Sequence, residues 1–272
     1  MKKTIRVAIT GTDGRMGRKL IKATMHIPEI ILGAAIVNTN SLLIGSDAGE
    51  LVGSGITGIK ITDQVDQVAD SFDVLIDFTR PQGTLKYLAL CKKYKKAMII
   101  GTTGFNTTEY DIIQNTAKDI AIVCSSNFSI GATIMLKLAG QAAKMIGEHA
   151  DIDILETHHR EKIDSPSGTA LVIGEAIARA MHWDFNQHAI YSSDQSVAPR
   201  LQQKIKFTSI RCGDTVGEHT ALFSDIGEYV KISHKVSTRM AFAKGALKSA
   251  LWVKNHKTGY FNMLDILNWH HI

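Results

Sequence analysis

The sequence predicts an α/β protein with two domains: a parallel sheet covered by helices on both faces, and a second, α+β domain with an open mixed or antiparallel sheet. Three observations favour this fold class. A short strand runs into a glycine-rich turn and a helix, apolar strands then alternate with helices, and later strands alternate in polarity between short turns. We expect the first domain at 1–128 and 239–272 and the second at 129–238, since 272 residues suffice for two cores.

The first strand and its glycine turn predict a nucleotide-binding domain of the Rossmann type. Ile5–Ile9 is a short β-branched run, followed by Gly11, Gly14 and Gly17 and then by apolar residues at helical spacing. Glycine permits positive φ and lets backbone N–H groups approach a pyrophosphate, while the helix start adds partial positive charge. The G-x-x-G-x-x-G spacing lacks the middle glycine of the commoner motif, so an ordinary strand–helix turn remains the alternative.

Further apolar strands extend this sheet, and polar loops follow them. We expect strands at 30–37, 74–78, 98–100 and 120–123, with helices at 81–93 and 108–117. Such alternation is typical of a parallel sheet, whose ligands bind beyond the carboxyl ends of the strands. Small polar loops lie at those ends, at 79–81, 101–105 and 125–128. Each one alone is compatible with a simple turn, but three on one edge favour a nucleotide site.

The end of the second strand leaves the choice between NADPH and NADH open. Dinucleotide enzymes usually place an acidic residue there for the ribose hydroxyls, or an arginine for the 2′-phosphate. Here Val37 is followed by Asn38, which can hydrogen-bond a ribose without selecting by charge. Arg15, in the glycine turn, could reach a phosphate instead.

A change of pattern after residue 128 predicts the second domain. Ser129 is positioned to cap a helix over 130–147, and Asp151–His158 then alternates as a strand. Every second residue from Ile152 onward lies on one face of that strand, so the His158 imidazole should emerge at its end, at least partly exposed.

Three further strands are separated by short turns, which predicts antiparallel pairing of consecutive strands. They lie at 205–211, 219–223 and 229–236. The last of them would leave an apolar face uncovered, and this favours oligomerisation. That face carries Val230, Ile232 and Val236. Ser237 is placed to cap a last helix over 238–253, which we expect to return to the first domain.

The segment 156–170, with sequence ETHHREKIDSPSGTA, carries the most reactive combination of groups in the chain. His158 and His159 are followed by Lys162 and by residues 167–169, which open a helix. An imidazole, an ammonium and the N–H groups of a helix start suit a small dicarboxylate ligand. Surface histidines and zinc ligands are the alternatives. We expect no metal, because no H-E-x-x-H, nearby cysteine or regularly spaced third ligand is present.

Composition and charge narrow the function classes. The net charge of +5 is spread along the chain, so nucleic-acid binding is disfavoured and anionic small ligands explain the bias equally well. The three cysteines are far apart, which is typical of a reducing compartment. The N-terminus has no apolar stretch long enough for a signal peptide or a membrane span, and we expect a cytoplasmic protein.

Motifs along nearly the whole chain resemble, in order, those of the 4-hydroxy-tetrahydrodipicolinate reductase family, also called dihydrodipicolinate reductases. They are GTDGRMGR, GSDAGE, DFTRPQGT, GTTGF, SSNFSIG, ETHHREKIDSPSGTA and GDTVGEHT. The resemblance implies a reductase of lysine and diaminopimelate biosynthesis, with NADPH or NADH as cofactor and a cyclic imine with two carboxylates as substrate. It also implies a homotetramer joined through the second-domain sheets.

Carried over by position, the resemblance implies a role for each site residue. His158 becomes the proton donor or acceptor, and Lys162 the general acid beside the ring nitrogen. The substrate contacts would be His159, Gly168, Thr169 and Arg239. The cofactor contacts would be Gly11, Thr12, Asp13, Gly14, Arg15, Met16, Gly101, Thr102, Thr103, Ser125, Ser126, Asn127 and Phe128, to which the strand-end argument adds Asn38. Many members place an acidic and a basic residue where Val37 and Asn38 stand, so the resemblance does not decide the cofactor.

Two other functions remain open. A different two-domain nicotinamide oxidoreductase acting on an amino-acid-like substrate, such as an aspartate dehydrogenase, would share the first domain. A nucleotide-sensing regulator without activity would keep the fold but would have no need of His158 and Lys162, and both are present. A methyltransferase is disfavoured because no acidic residue ends the second strand.

Overall fold

The computed structural model describes residues 4–191 and 200–268 of the chain. The chain folds into two compact units, the first formed by residues 1–129 and 239–272 and the second by residues 130–238. The outer limits of the first predicted domain, at residues 1 and 272, lie outside the described residues. Among the helices of the described part, none combines the length and the apolar character needed to cross a membrane.

The first unit is built on a seven-stranded sheet in which all strands are parallel. The strands are β1 (Ile5–Thr10), β2 (Ile30–Ile36), β3 (Ile61–Thr62), β4 (Val74–Asp77), β5 (Ala97–Ile100), β6 (Ala121–Cys124) and β12 (Gly259–Phe261). Their order is β12-β6-β5-β4-β1-β2-β3, so the chain reverses its direction of travel across the sheet at β1 and β4. Ligands of such sheets bind at this reversal point. The predicted Rossmann-type sheet is confirmed.

Helices pack against this sheet, and several of them begin at a helix-start signal of the sequence. They are α1 (Arg15–Thr24), α2 (Pro81–Tyr94), α3 (Thr107–Thr116), α7 (Met240–Val253) and α8 (Met263–Ile266). The first residue of α2 is Pro81, and α3 starts with a capping box between Asn106 and Glu109. The buried core includes Leu75, Leu88, Met98, Ile113 and Ile122. This rigid packing holds the carboxyl ends of the strands in place.

The second unit packs helices against a five-stranded mixed sheet. Its elements are α4 (Ile130–Ile146), β7 (Asp151–His158), α5 (Gly168–Ala180), α6 (Phe185–His188), β8 (Ala189–Tyr191), β9 (Ile205–Arg211), β10 (Gly217–Asp225) and β11 (Glu228–Val236). The strand order is β11-β10-β7-β9-β8. Strand β7 lies at the centre, parallel to β9 and antiparallel to β10. A mixed sheet in an α+β unit agrees with the predicted fold class.

The predicted pairing of all consecutive strands is wrong for β9 and β10. These two are not neighbours, because β7 is inserted between them and pairs with β9 from Ile152–Ile205 to His158–Arg211. The connection after β9 passes the end of β7, where the Cys212 N–H donates to the His158 carbonyl at 2.9 Å. A short connection can therefore lead past the end of one strand to the strand beyond it. The length of a turn does not by itself identify the neighbouring strand.

The face of β11 that was predicted to be uncovered points towards the helices of its own unit. Val236 is buried and Ile232 packs against the second core, while Val230, near the start of the strand, stays largely exposed. The opposite face of the sheet is the open one, and it carries Leu155, Ile210, Leu222 and Tyr229. The helix predicted over 238–253 is α7, which starts later, at Met240; Arg239 rather than Ser237 occupies its N-cap position, and α8 follows it in the chain.

Candidate active site

The glycine turn of the first unit is closed tightly against its own backbone. Gly11 has φ of +59°, and the Gly14 N–H donates to its carbonyl oxygen at 2.9 Å. A Cβ on Gly17 would lie 2.3 Å from the same oxygen, so only glycine fits there. The helix α1 therefore starts close to the end of β1, with a helix N-terminus suited to an anion.

A buried carboxylate holds three strand ends together beside this turn. Asp77, at the end of β4, is fully buried and accepts hydrogen bonds from four threonine hydroxyls. Those of Thr10, Thr79 and Thr102 lie at 2.5, 2.8 and 2.9 Å, and that of Thr84 is the fourth. Since Thr10 ends β1 and Thr102 follows β5, one side chain fixes the loops at the edge where a ligand would bind.

A cavity of about 1130 Å³ opens beside the glycine turn, within the first unit. Its lining includes Gly11, Gly14, Asn38, Arg80 and Lys86, together with acidic residues such as Asp13 and Asp63. The volume suffices for the adenosine part of a dinucleotide. Because both signs of charge line it and Asn38 is neutral, the cavity gives no charge-based preference for a 2′-phosphate or a free ribose.

Several other residues predicted to bind the cofactor have exposed side chains, whereas the side chain of Thr12 has a structural role. Asp13, Arg15, Thr103 and Ser126 are exposed, and Met16 is half-buried. Thr12 is fully buried, and its N–H and hydroxyl both donate to the Ile36 carbonyl, so its side chain serves the β1–β2 junction.

The loops at 101–105 and 125–128, which were also predicted to bind the cofactor, are shaped by the packing of phenylalanine rings. A Cβ on Gly101 would lie 2.1 Å from the Phe78 ring, and that ring packs against buried Phe128 with centroids 5.4 Å apart. The Ser125 hydroxyl donates to the Asn127 carbonyl at 2.9 Å. Because the Phe128 ring is buried in this packing, only the backbone of Phe128 is in a position to bind a ligand.

Arg239 belongs to the first unit, whereas the other predicted substrate residues belong to the second. Burial lowers the pKa of its guanidinium, and the charge of Arg15 lowers it further. The two guanidiniums are thus close enough to interact, an arrangement that favours an anion beside them.

In the second unit, His158 ends β7 on its inner face and bonds to Glu156. The imidazole Nδ1 lies 2.5 Å from a carboxylate oxygen of Glu156, which is itself buried. Burial alone would raise the pKa of this carboxyl, but hydrogen bonds from His158 and Arg211 hold it well below its usual range. Glu156 is therefore ionised and can only accept, so His158 Nδ1 carries the proton of this bond. With 11% of its side chain exposed, His158 is more buried than expected.

His219 lies next to His158 and is kept neutral. Their rings meet edge to face with centroids 5.1 Å apart, and the Ser167 hydroxyl lies 3.0 Å from His219 Nε2. Burial, together with the charge of His158, lowers the pKa of His219 to about 3. The Glu156 carboxylate opposes this lowering of the His219 pKa, and the Lys162 ammonium adds to it.

Lys162 and its neighbours form the accessible side of this site. The Lys162 ammonium donates to both carboxylate oxygens of Asp164 at 2.8 Å, and its backbone N–H donates to the His159 carbonyl. Gly168 is exposed at the start of α5, and Ser167 caps that helix by accepting from the Ala170 N–H. Thr169 follows in the first turn of α5, half-buried. An anion could thus meet an ammonium and a helix N-terminus.

Several residues of this site were not predicted from the sequence. Glu156 shares the alternating face of β7 with His158, which is a signal that could have identified it. Arg211 and His219 come from β9 and β10, and only the strand pairing brings them close to His158. Within the described residues, no group of three or more His, Cys, Asp or Glu side chains is arranged to hold a metal ion.

A parallel sheet with a glycine turn and nucleotide-sized cavity, joined in one chain to an imidazole–ammonium site, defines a two-domain nicotinamide-dependent oxidoreductase. The family model described as dihydrodipicolinate reductase, N-terminus, matches residues 5–128, and the model for the C-terminus matches residues 131–267. The chain therefore belongs to the dihydrodipicolinate reductase family and is an NAD(P)H-dependent oxidoreductase.

Several solved structures share this fold. A dipicolinate-bound dihydrodipicolinate reductase from Paenisporosarcina sp. TG-14 matches with a TM-score of 0.74 at 24% identity, covering 96% of this chain and 98% of that one. An amine dehydrogenase from Mycobacterium smegmatis has a TM-score of 0.62 at 10% identity, with 90% and 91% covered. The C. glutamicum DAP dehydrogenase in complex with DAP has 0.55 at 15%, with 97% and 94% covered.

Proposed function

We propose that the protein reduces 4-hydroxy-tetrahydrodipicolinate to tetrahydrodipicolinate with NADPH or NADH, as a step of lysine and diaminopimelate biosynthesis. The observation that carries this proposal is the second unit's site in a chain of this family: His158 and the cap of α5 bond to the same Glu156 carboxylate, and Lys162 lies in the segment between them. The related Paenisporosarcina enzyme was solved with dipicolinate, a ring bearing two carboxylates, and that ligand chemistry suits the same groups.

The reaction balances with one hydride and one proton. The hydroxylated substrate would lose water to give a conjugated cyclic imine, a ring carbon would accept a hydride from a bound reduced nicotinamide, and a proton would complete the product. Lys162 is assigned as the acid that meets the charge developing at the ring nitrogen, and His158 as the group that gives or takes a proton. Positioned acids of this kind contribute about 10²–10⁴ in rate.

The substrate carboxylates are assigned to the groups that can bind anions. His159, the N–H of Gly168 and Thr169 would bind them at the start of α5, and charge-assisted bonds of this type contribute about 1.5–3 kcal/mol each. Arg239 is assigned as a further anion-binding residue, because its guanidinium lies close to that of Arg15.

The cofactor is assigned to the first unit. The glycine turn, from Gly11 to Met16, would bind the pyrophosphate, and Asn38 the adenosine ribose. The loops at 101–103 and 125–128 lie at the ends of the neighbouring strands β5 and β6 and are assigned to the nicotinamide half. Acceptance of both NADPH and NADH is the expectation, because the cavity is lined by both signs of charge.

Assembly and location belong to the same proposal. A homotetramer joined through the open faces of the second-unit sheets is favoured by exposed Ile210 and Tyr229 on that face. Free cysteines at positions 91, 124 and 212 suit a reducing cytoplasm. No nucleic acid or membrane partner is proposed.

A coupled assay tests the reaction. The purified protein is supplied with the condensation product of pyruvate and aspartate semialdehyde, and oxidation of NADPH and of NADH is followed separately by absorbance. We expect oxidation of both cofactors that depends on this substrate. L-Aspartate with the oxidised cofactors serves as the comparison. Turnover of aspartate, without activity on the condensation product, would assign the protein to amino-acid dehydrogenation instead.

A further inference from the structure

One carboxylate joins the two ends of the segment that holds the proposed catalytic groups. Glu156 bonds through one oxygen to His158 Nδ1 at 2.5 Å, and its other oxygen accepts from the Ser167 N–H at 3.2 Å. His158 begins this segment, and Ser167 ends it as the cap of α5. Lys162 lies within it. The position of both ends of the segment thus depends on a single side chain.

Arg211, from the neighbouring strand β9, fixes that carboxylate. Its two terminal nitrogens donate to the two Glu156 oxygens at 2.9 and 2.7 Å, in the forked geometry that only arginine provides. One of these nitrogens also donates to the Asp164 carbonyl at 2.7 Å. Arg211 therefore contacts both the carboxylate that joins the ends of the segment and the middle of the segment itself.

We propose that Glu156 and Arg211 are positioning residues that set both the tautomer and the charge state of His158 and the shape of the segment 158–167. Glu156 directs the proton of the neutral ring to Nδ1 and leaves Nε2 to exchange protons with a ligand. Arg211 neutralises Glu156 and so limits how strongly the carboxylate favours the imidazolium. The relevance of this arrangement to catalysis rests on the function proposed above.

The charged and titratable groups around His158 come from its own strand, from the two neighbouring strands and from the segment that follows it. Glu156 lies on the same strand, Arg211 on β9 and His219 on β10, and Lys162 and Asp164 lie in the following segment. His234 on β11 pairs across the sheet with His219. Among these groups, Glu156 is the one that bonds directly to the ring. Changing Glu156 or Arg211 therefore alters the field at His158 with opposite signs.

Histidine-selective ¹⁵N NMR tests the proposal directly. Spectra of the wild type and of His158→Gln identify the His158 ring signals, and a pH titration then gives its tautomer and the midpoint of its charge change. We expect the neutral ring to carry its proton on Nδ1. We expect the midpoint to fall in Glu156→Gln, which loses the negative charge, and to rise in Arg211→Met, by about one pH unit each.

Charge and geometry are separated by a third variant. Arg211→Lys keeps the positive charge but loses the fork, so its midpoint should stay near that of the wild type while kcat falls about 10–100-fold, as when a group that orients a functional histidine is removed. Arg6→Met removes a forked arginine from Asp73 in the first unit and serves as the matched control. It should leave the His158 midpoint unchanged.

The proposal is overturned if the neutral ring of the wild type carries its proton on Nε2. This result needs no variant, so it decides the matter even where a substitution prevents folding. The proposal is also overturned if the midpoint of the His158 charge change is the same in Glu156→Gln and Arg211→Met, or if it moves in the same direction in both. The NMR measurements do not depend on turnover. Opposite shifts combined with a negative coupled assay would support the positioning role and reject the proposed reaction.

Discussion

Lys162 is the residue on which the proposed proton transfer depends most, and Asp164 already binds its ammonium through both carboxylate oxygens. The Lys162 side chain is about one-fifth exposed and Asp164 is mostly exposed, so this pair is partly open to solvent. An ion pair in such a position is weak, on the order of 0–1 kcal/mol. A substrate carboxylate could therefore replace Asp164 at low cost.

The substitution Lys162→Ala tests the role of this ammonium. We expect kcat to fall about 10²–10⁴-fold, because the developing negative charge loses its acid, while the dissociation constant of the cofactor stays near that of the wild type. Steady-state kinetics and cofactor titration measure the two quantities. Lys144→Ala, an exposed lysine near the end of α4, is the control. If kcat of Lys162→Ala remains within a few-fold of the wild type, Lys162 is not the acid.

At the scale of single residues, the sequence predicts the groups that meet a ligand better than those that orient them. His158, Lys162 and Gly168 stand in one short motif, so their spacing alone brings them together. Arg211 lies 55 residues from Glu156, and only the parallel pairing of β7 with β9 makes them partners. Local patterns carry no information on such distant contacts.

Among the structural elements, the ends of β1, β4 and β5 are tied together by the Asp77 carboxylate. Four threonine hydroxyls donate hydrogen bonds to this buried group. Because the loops that follow are assigned to the cofactor, we expect Asp77 to link the stability of the first unit to cofactor affinity.

Asp77→Asn tests this link. The amide donates where the carboxylate accepted, so at least one threonine hydroxyl must turn or lose its partner. We expect the free energy of unfolding to fall by about 1–3 kcal/mol and the cofactor to bind several-fold more weakly. Chemical denaturation and cofactor titration measure both effects. Asp73→Asn, at the partly exposed pair with Arg6, is the control. Unchanged cofactor affinity in Asp77→Asn would show that the hydroxyl cluster is structural only.

The second unit should lose stability in mild acid because of His219. Its folded pKa of about 3 lies below the ordinary value of about 6.5, so between these values the unfolded chain binds more protons. Unfolding free energy therefore decreases as the pH falls through this window, by about 1.4 kcal/mol per pH unit at most from this group.

His219→Gln should reduce that acid sensitivity. The difference in melting temperature between pH 6.5 and pH 4 is expected to be smaller in the variant than in the wild type, as thermal unfolding at a series of pH values would show. His149→Gln, at an exposed position before β7, should behave like the wild type. If the melting temperatures of the wild type and of His219→Gln change with pH in the same way, His219 is not buried in its neutral form.

The sheets show which part of an element the sequence can predict. Alternation along β7 correctly indicates its buried face, since polarity depends on the residue itself. The neighbours of β9 were predicted wrongly because they depend on where β7 inserts, and the covered face of β11 because it depends on the side on which the helices pack. The short edge strands β3, β8 and β12 carry too few residues for a pattern.

For the whole molecule, the open face of the second-unit sheet is the surface assigned to assembly. Leu155 lies on the central strand of this face, between Thr208 on β9 and Thr220 on β10. Leu155→Glu should therefore yield species smaller than a tetramer, because a carboxylate would be buried in the proposed contact. Light scattering coupled to size exclusion measures the mass.

A matched substitution controls for the added charge. Met145→Glu places the same carboxylate on an exposed position of α4, outside the sheet face, and should leave the mass unchanged. A wild-type protein that is monomeric at micromolar concentration would refute the tetramer, and so would a Leu155→Glu protein that assembles like the wild type.

The order of motifs along the chain predicts the family, and the family matches confirm it over both units. The choice of cofactor could not be predicted, because Asn38 stands where a charged residue would decide it. The structure adds a reason, since the adjoining cavity is lined by both acidic and basic side chains.

The central claim, that this protein transfers hydride to the ring of a dicarboxylate imine, is tested most directly by following the hydrogen. The reduced cofactor is labelled with deuterium at the transferred position, and the product is examined by mass spectrometry. We expect tetrahydrodipicolinate that carries one deuterium for each cofactor oxidised. Cofactor oxidation without deuterium in the ring product, or no oxidation when the substrate is present, would contradict the account.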